Sequence, residues 1–311
     1  MPTYYETHKK QLIKVIKGVR EKHEEIQAPS LFQQDVALFD QIESSVCNHR
    51  LRYYQMEALY VLDYLLGLAD SNSAKKGLME SASKGSKKIP FMGFEMATGS
   101  GKTMLMGASC YYLARKFGIT NFLVIAPSSI DIYQKTIRNF QKGSFETIWS
   151  ESTDFDFNLV TGDDYQTPSM FFDYNKDVNI FIFNIDKFGA NATNSKKRWE
   201  SSVWKDAEGN TVSIQDFLKN KRLAIITDEA HHAQSQKAKT IISGFEPELV
   251  LEFTATAVEQ GRNQEKANQS IIYKYDIKRF LEDGHGKLVR AVALDNEDKK
   301  RKTQEGFSES E

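Results

Sequence analysis

Along this chain, short and almost wholly apolar runs alternate with longer segments whose apolar residues recur every three to four positions. The runs are Phe91-Met-Gly-Phe94, Phe122-Leu-Val-Ile-Ala126, Val178-Asn-Ile-Phe-Ile-Phe-Asn184, Leu223-Ala-Ile-Ile-Thr227 and Leu249-Val-Leu-Glu-Phe253, with weaker ones at 157–160 and 288–294. Runs that are apolar throughout, without polar alternation, are what strands of a parallel sheet covered on both faces require. Between them, Met104, Leu105, Met106 and Ala108, and then residues 131–141, carry helical spacing. The order strand, helix, strand predicts an α/β fold with a mostly parallel sheet flanked by helices. Upstream, Leu12, Ile13, Val15, Ile16 and Val19 recur at helical spacing, as do Leu31, Val36, Leu38, Phe39 and Ile42, so residues 1–50 read as a helical N-terminal cap. A further helix opens at Arg52 and buries Ala58, Leu59, Val61, Leu62 and Leu65.

The α/β body then covers residues 51–294. Two segments interrupt it: a Ser-, Gly- and Lys-rich loop at 70–88, and an insertion at 190–222 that carries Trp199, Trp204 and a basic cluster. Residues 295–311 are charged and nearly free of apolar side chains, a tail or a linker.

Composition narrows the classes. Apolar residues make up 40% and charged residues 27%, ordinary for a soluble globular protein. No run approaches the roughly 18–20 apolar residues of a membrane span, and Met1-Pro-Thr-Tyr-Tyr-Glu lacks a basic-then-apolar leader, so a cytoplasmic protein without membrane contact is expected. Two cysteines without metal-ligand spacing exclude a disulfide framework. A net charge of −1 gives no global attraction to nucleic acid, so any such contact must be local.

Candidate chemistry concentrates at the ends of two strands. After the first comes Thr98-Gly-Ser-Gly-Lys-Thr103, then a helix. Gly99 and Gly101 let the backbone approach phosphate oxygens, Thr98 and Ser100 complete the turn, Lys102 reaches the β/γ-phosphates and Thr103 ligates Mg²⁺. Met96 stands where the full phosphate-loop pattern has glycine. After Thr227 the chain reads Asp228-Glu-Ala-His-His232. In a parallel sheet, groups beyond the carboxyl ends of strands share one crevice. Asp228 would hold Mg²⁺ through water, and Glu229 would orient and deprotonate the attacking water. Gln55 offers the donor and acceptor pair that suits the N6/N7 edge of adenine, with Arg52 or Tyr53 in support.

Met96-Ala-Thr-Gly-Ser-Gly-Lys-Thr103, Asp228-Glu-Ala-His-His232 and Thr254-Ala-Thr256 resemble motifs I, II and III of superfamily 2 helicases and translocases, in which a residue other than glycine at the position of Met96 is usual. The wording EMATGSGKT, RYYQ and DEAHH is most similar to the motor (Res) subunit of type III restriction enzymes, over about 51–294. The resemblance implies a RecA-like P-loop NTPase domain using ATP and Mg²⁺, with the R-x-Y-Q element reading adenine. It further implies coupling through His231, His232, Thr254 and Thr256, and nucleic-acid backbone contacts at Pro127, Ser128, Ser129, Asn184 and Lys187. The implied partners are duplex DNA, a second RecA-like domain or subunit that supplies an arginine finger, and a methyltransferase or specificity subunit. Only 55 residues follow Thr256, too few for a second domain of about 100–150 residues, so a fragment or a subunit borrowing its other half is expected. A P-loop kinase and a nucleotide-gated binding module without turnover remain open as alternatives.

Overall fold

Seven strands form one sheet, in the order Phe157–Thr161, Val178–Asn184, Asn121–Ala126, Leu223–Asp228, Leu249–Thr254, Phe91–Met96 and Ile271–Tyr275, every neighbouring pair parallel. The structure is a computed structural model that describes residues 36–67, 89–163, 173, 175–184, 202–205, 209–219, 221–229, 242–255 and 271–285. In chain order the elements are α1 (Val36–Gln41), continued by a π-helical turn (Ile42–Val46), α2 (Tyr53–Gly67), β1 (Phe91–Met96), α3 (Lys102–Phe117) and β2 (Asn121–Ala126). They continue with α4 (Ile130–Phe140), β3 (Phe157–Thr161), β4 (Val178–Asn184), β5 (Ser202–Lys205), β6 (Thr211–Ser213) and α5 (Ile214–Lys219). The last are β7 (Leu223–Asp228), β8 (Leu249–Thr254), β9 (Ile271–Tyr275) and α6 (Ile277–Glu282). The architecture is the parallel α/β sheet that the alternation predicts, arranged as the RecA-like P-loop domain that the resemblance implies.

Strands β2, β4 and β8 are buried at every position. Period-two alternation sends their side chains to two separate cores. On one face Phe94, Phe122, Val124, Ile182, Ile226 and Phe253 pack under α2 and α3. On the other, Leu123, Ile125, Phe181, Phe183, Ile225 and Val250 meet Ile214 and Leu218 of α5 and Phe245. Part of the span read as an insertion therefore covers the sheet, because its amphipathic end lies directly before β7 and serves as the crossover into it. Phe39 stacks on Tyr60 at 4.5 Å and lies 5.7 Å from Tyr112, so this part of the N-terminal region shares the main core. Residues 1–35, the loop at 70–88 and the strand expected at 288–294 lie outside the described residues.

A row of asparagines crosses the amino ends of three strands. The Asn158 amide donates to Asn179 Oδ1 at 2.9 Å, and the Asn179 amide donates to Asn121 Oδ1 at 3.0 Å. Asn121 donates in turn to the Arg222 carbonyl just before β7. All three are nearly inaccessible to water, and they stand opposite one another in the parallel register.

Candidate functional site

The carboxyl ends of β1, β8 and β7 lie side by side. β1 delivers the turn 97–101, which closes with Ser100 N–H donating to the Ala97 carbonyl at 3.1 Å. Gly99 and Gly101 take φ of 81° and 82°, left-handed conformations that a side chain disfavours. Gly101 caps α3, so the first N–H groups of that 16-residue helix have no helical partner and face the turn's mouth. Ser100 is buried, and its hydroxyl has no hydrogen-bond partner among the described residues. Unpaired N–H groups, an orphan hydroxyl and the Lys102 ammonium together fit a phosphate group.

The turn is held from behind by α2. Tyr54 donates its hydroxyl to the Ser100 carbonyl at 2.9 Å. The Gln55 amide nitrogen donates to the carbonyls of Ser100 (3.3 Å) and Gly101 (3.1 Å), while its oxygen accepts the Arg52 N–H at 2.8 Å. Gln55 is 2% exposed, so the amide that the sequence offers to adenine is turned on the phosphate loop instead. A Cβ at Gly101 would lie 2.6 Å from the Gln55 nitrogen, so a side chain there would displace the Gln55 amide from the loop. Arg52 is exposed, and Tyr53 is half-buried with its hydroxyl donating to Asp283. Gln55→Ala is expected to weaken ATP and GTP binding alike, by roughly tenfold for two lost hydrogen bonds. Competition titrations measure it; a narrowed ATP-to-GTP ratio would return Gln55 to base recognition.

At the end of β7, the Glu229 N–H donates to Asp228 Oδ1 at 3.0 Å, and Glu229 adopts φ of 50°. A left-handed glutamate is strained, and such strain gathers at functional sites. It directs Glu229 Oε1 to Lys102 Nζ at 3.4 Å and brings Oε2 within 3.5 Å of the Ala255 N–H beyond β8. One carboxylate thus touches both the phosphate loop and the segment that follows Thr254, which is buried and opposite Glu95 of β1.

The Asp228 carboxyl is pushed up to about 6 from an ordinary 3.8, by burial first and the Glu229 charge second, with Lys102 pulling the other way. The folded chain therefore holds this proton more tightly than the unfolded chain. Its stabilising contribution is complete below 3.8 and disappears as pH rises through about 6. Thermal melts across that window should show Tm falling with pH in the wild type and a flatter profile in Asp228→Asn. An unchanged slope in the variant would assign the dependence elsewhere.

Of the expected nucleic-acid contacts, Ser128 and Ser129 are exposed at the start of α4, whereas Pro127 and Asn184 are buried and present no side chain to a surface. Lys187, His231, His232 and Thr256 lie outside the described residues. Among the described residues no cluster of His, Cys, Asp and Glu forms a ready metal site, and no helix is long and apolar enough to cross a membrane. Sequence reasoning passed over the support of the loop by Tyr54, and over buried Glu57, which binds Arg279 at 2.9 Å. The available signal is that Glu57 falls on the apolar stripe of α2, three residues after Tyr54 and four before Val61.

Comparison with known proteins extends the picture. The family model described as type III restriction enzyme, res subunit, matches residues 48–259. The probable type III restriction-modification enzyme HindVIP Res subunit of Haemophilus influenzae is 27% identical over an alignment 235 residues long that covers 64% of this chain and 42% of that protein. The chain thus spans less than half the length of this relative. Solved structures also match, two of them as follows. The Sulfolobus solfataricus SWI2/SNF2 ATPase core in complex with dsDNA has 14% identity and a TM-score of 0.40, with 73% of this chain and 36% of that chain covered. The UvsW helicase from bacteriophage T4 has 13% identity and a TM-score of 0.41, with 80% and 69% covered.

Proposed function

The chain belongs to the type III restriction enzyme Res subunit family, and on that premise we propose that it is the ATP-binding, ATP-hydrolysing first motor domain of a superfamily 2 translocase acting on duplex DNA in restriction or phage defence. The observation that carries the reading is the approach of Lys102 Nζ to Glu229 Oε1, 3.4 Å apart, beside the glycine turn that opens α3. Lys102 and the first N–H groups of α3 bind the β- and γ-phosphates. Thr103 and Asp228 would hold Mg²⁺, whose charge, when bound, offsets the charge that develops on the transferred phosphoryl group. Glu229 orients a water and takes its proton. Arg52, exposed where α2 begins, is the side chain left to meet the base.

Thr254 lies between the two catalytic strand ends, so a shift of Glu229 on nucleotide binding is felt at the segment after β8. With Thr256, His231 and His232 it would pass that shift toward nucleic acid seated on Ser128, Ser129 and Lys187. A second RecA-like half and a methyltransferase or specificity partner complete the working assembly.

Steady-state phosphate release, with and without duplex DNA, tests the reading on the chain joined to its second half. DNA-stimulated release is expected. Transfer to an added acceptor would favour a kinase, and tight binding without release would favour a nucleotide-gated module.

A further inference from the structure

We infer that Arg279 is a positioning residue for nucleotide binding, keying a clamp in which β9 and α6 hold the phosphate loop through α2; this rests on the nucleotide-site reading above. Tyr275, the last residue of β9, meets the loop once directly and once through Tyr54. Its carbonyl accepts the Ala97 N–H at 2.9 Å. Its ring stacks on Tyr54 with centroids 3.9 Å apart and planes 11° from parallel, and Tyr54 carries the hydroxyl bonded to the Ser100 carbonyl. Whatever fixes the Tyr275 ring therefore fixes the loop.

Arg279 does so from two sides. One guanidinium nitrogen donates to Glu57 Oε2 at 2.9 Å, and the cation lies 5.2 Å from the Tyr275 ring centre and 5.6 Å from that of Tyr53. Glu57 is completely buried in α2 and also accepts the Tyr273 hydroxyl at 2.9 Å. A buried carboxylate deprived of its cation is costly, so the helix that carries it shifts or admits water. Asp283 closes the clamp by accepting the hydroxyls of Tyr275 (2.8 Å) and Tyr53. The same clamp ties Arg279 away from the phosphates, so it is a support and not a finger.

The test is a thermodynamic cycle on Mg²⁺ and a fluorescent ATP analogue, with Arg279→Met, Tyr54→Phe and the double variant, circular dichroism confirming the fold. Arg279→Met should raise Kd roughly tenfold and Tyr54→Phe roughly threefold, while the double variant should fall well short of the product, because both changes act through one contact. Arg279→Lys, which restores a cation to Glu57, should recover most of the affinity. An unchanged Kd in folded Arg279→Met, or factors that multiply, would overturn the clamp. If Arg279→Met does not fold, Asp283→Asn at the exposed end decides the matter: Kd should rise, and an unchanged value overturns the proposal. Lys102→Ala separates the levels. If it too leaves Kd unaltered, the nucleotide reading has failed; if it abolishes binding while the Arg279 cycle is flat, only the clamp has failed.

Discussion

Lys102→Ala is expected to remove measurable ATP affinity while leaving the fold intact. The ammonium would donate to two phosphates, and hydrogen bonds to charged groups are worth about 1.5–3 kcal/mol each, so a loss of about a hundredfold or more follows. The cost to the fold is small because Glu229, the present partner of Lys102, has a side chain 23% exposed and can turn to water. A second readout comes with it. Lys102 now holds the Asp228 carboxyl down against burial and the Glu229 charge, so its removal should move the pH-dependent loss of stability to higher pH. Fluorescent-analogue titration and pH-resolved melts measure the two effects. Unchanged affinity would sink the site, and an unmoved profile would sever Lys102 from Asp228.

The other large effect concerns turnover. The 311-residue chain alone should bind ATP with Mg²⁺ and hydrolyse it slowly, with little response to DNA. In the proposed reading Glu229 supplies the base, but Arg279 is committed to Glu57 and two tyrosine rings and offers nothing to the γ-phosphate. An arginine brought by a partner is worth roughly 10³–10⁵ in turnover in other P-loop enzymes. Adding the second RecA-like half in trans should therefore raise phosphate release sharply, and Glu229→Gln should erase the gain. Strong DNA-stimulated hydrolysis by the monomeric chain would refute this division of labour.

The sheet was legible because its strands are apolar on both faces, a pattern that survives without knowledge of partners: β4 runs 178–184 as read, and β2, β7 and β8 differ by one residue at an end. The phosphate loop was legible because its chemistry dictates residues at fixed spacing. Gln55 was less so. Its donor and acceptor were read correctly as chemistry, but which atoms they meet depends on the packing of α2 behind Ser100 and Gly101, more than 40 residues away in sequence. The clamp of Glu57, Arg279 and Asp283 was invisible for the same reason, since charge in a helix reads as solvated until a partner over 200 residues distant is placed beside it. Pro127 and Asn184 were assigned from a motif that marks loop positions, and loop position alone does not decide which side chains reach water.

The asparagine row has a consequence for how the sheet assembles. In strands that are apolar on both faces, slipping one strand by two residues returns every side chain to its own face, so burial alone scarcely distinguishes the native alignment from a frame-shifted one. The amides do distinguish it. A two-residue slip of β4 would separate Asn179 from both Asn158 and Asn121 and leave the Asn179 amide and the Asn121 side-chain oxygen without these partners in a dry interior, at about 1–3 kcal/mol for each group left unpaired. Asn121 extends the same alignment to the entrance of β7, whose far end carries Asp228. The three amides thus act as a vernier at one edge of the fold, setting the level at which the acids emerge at the other.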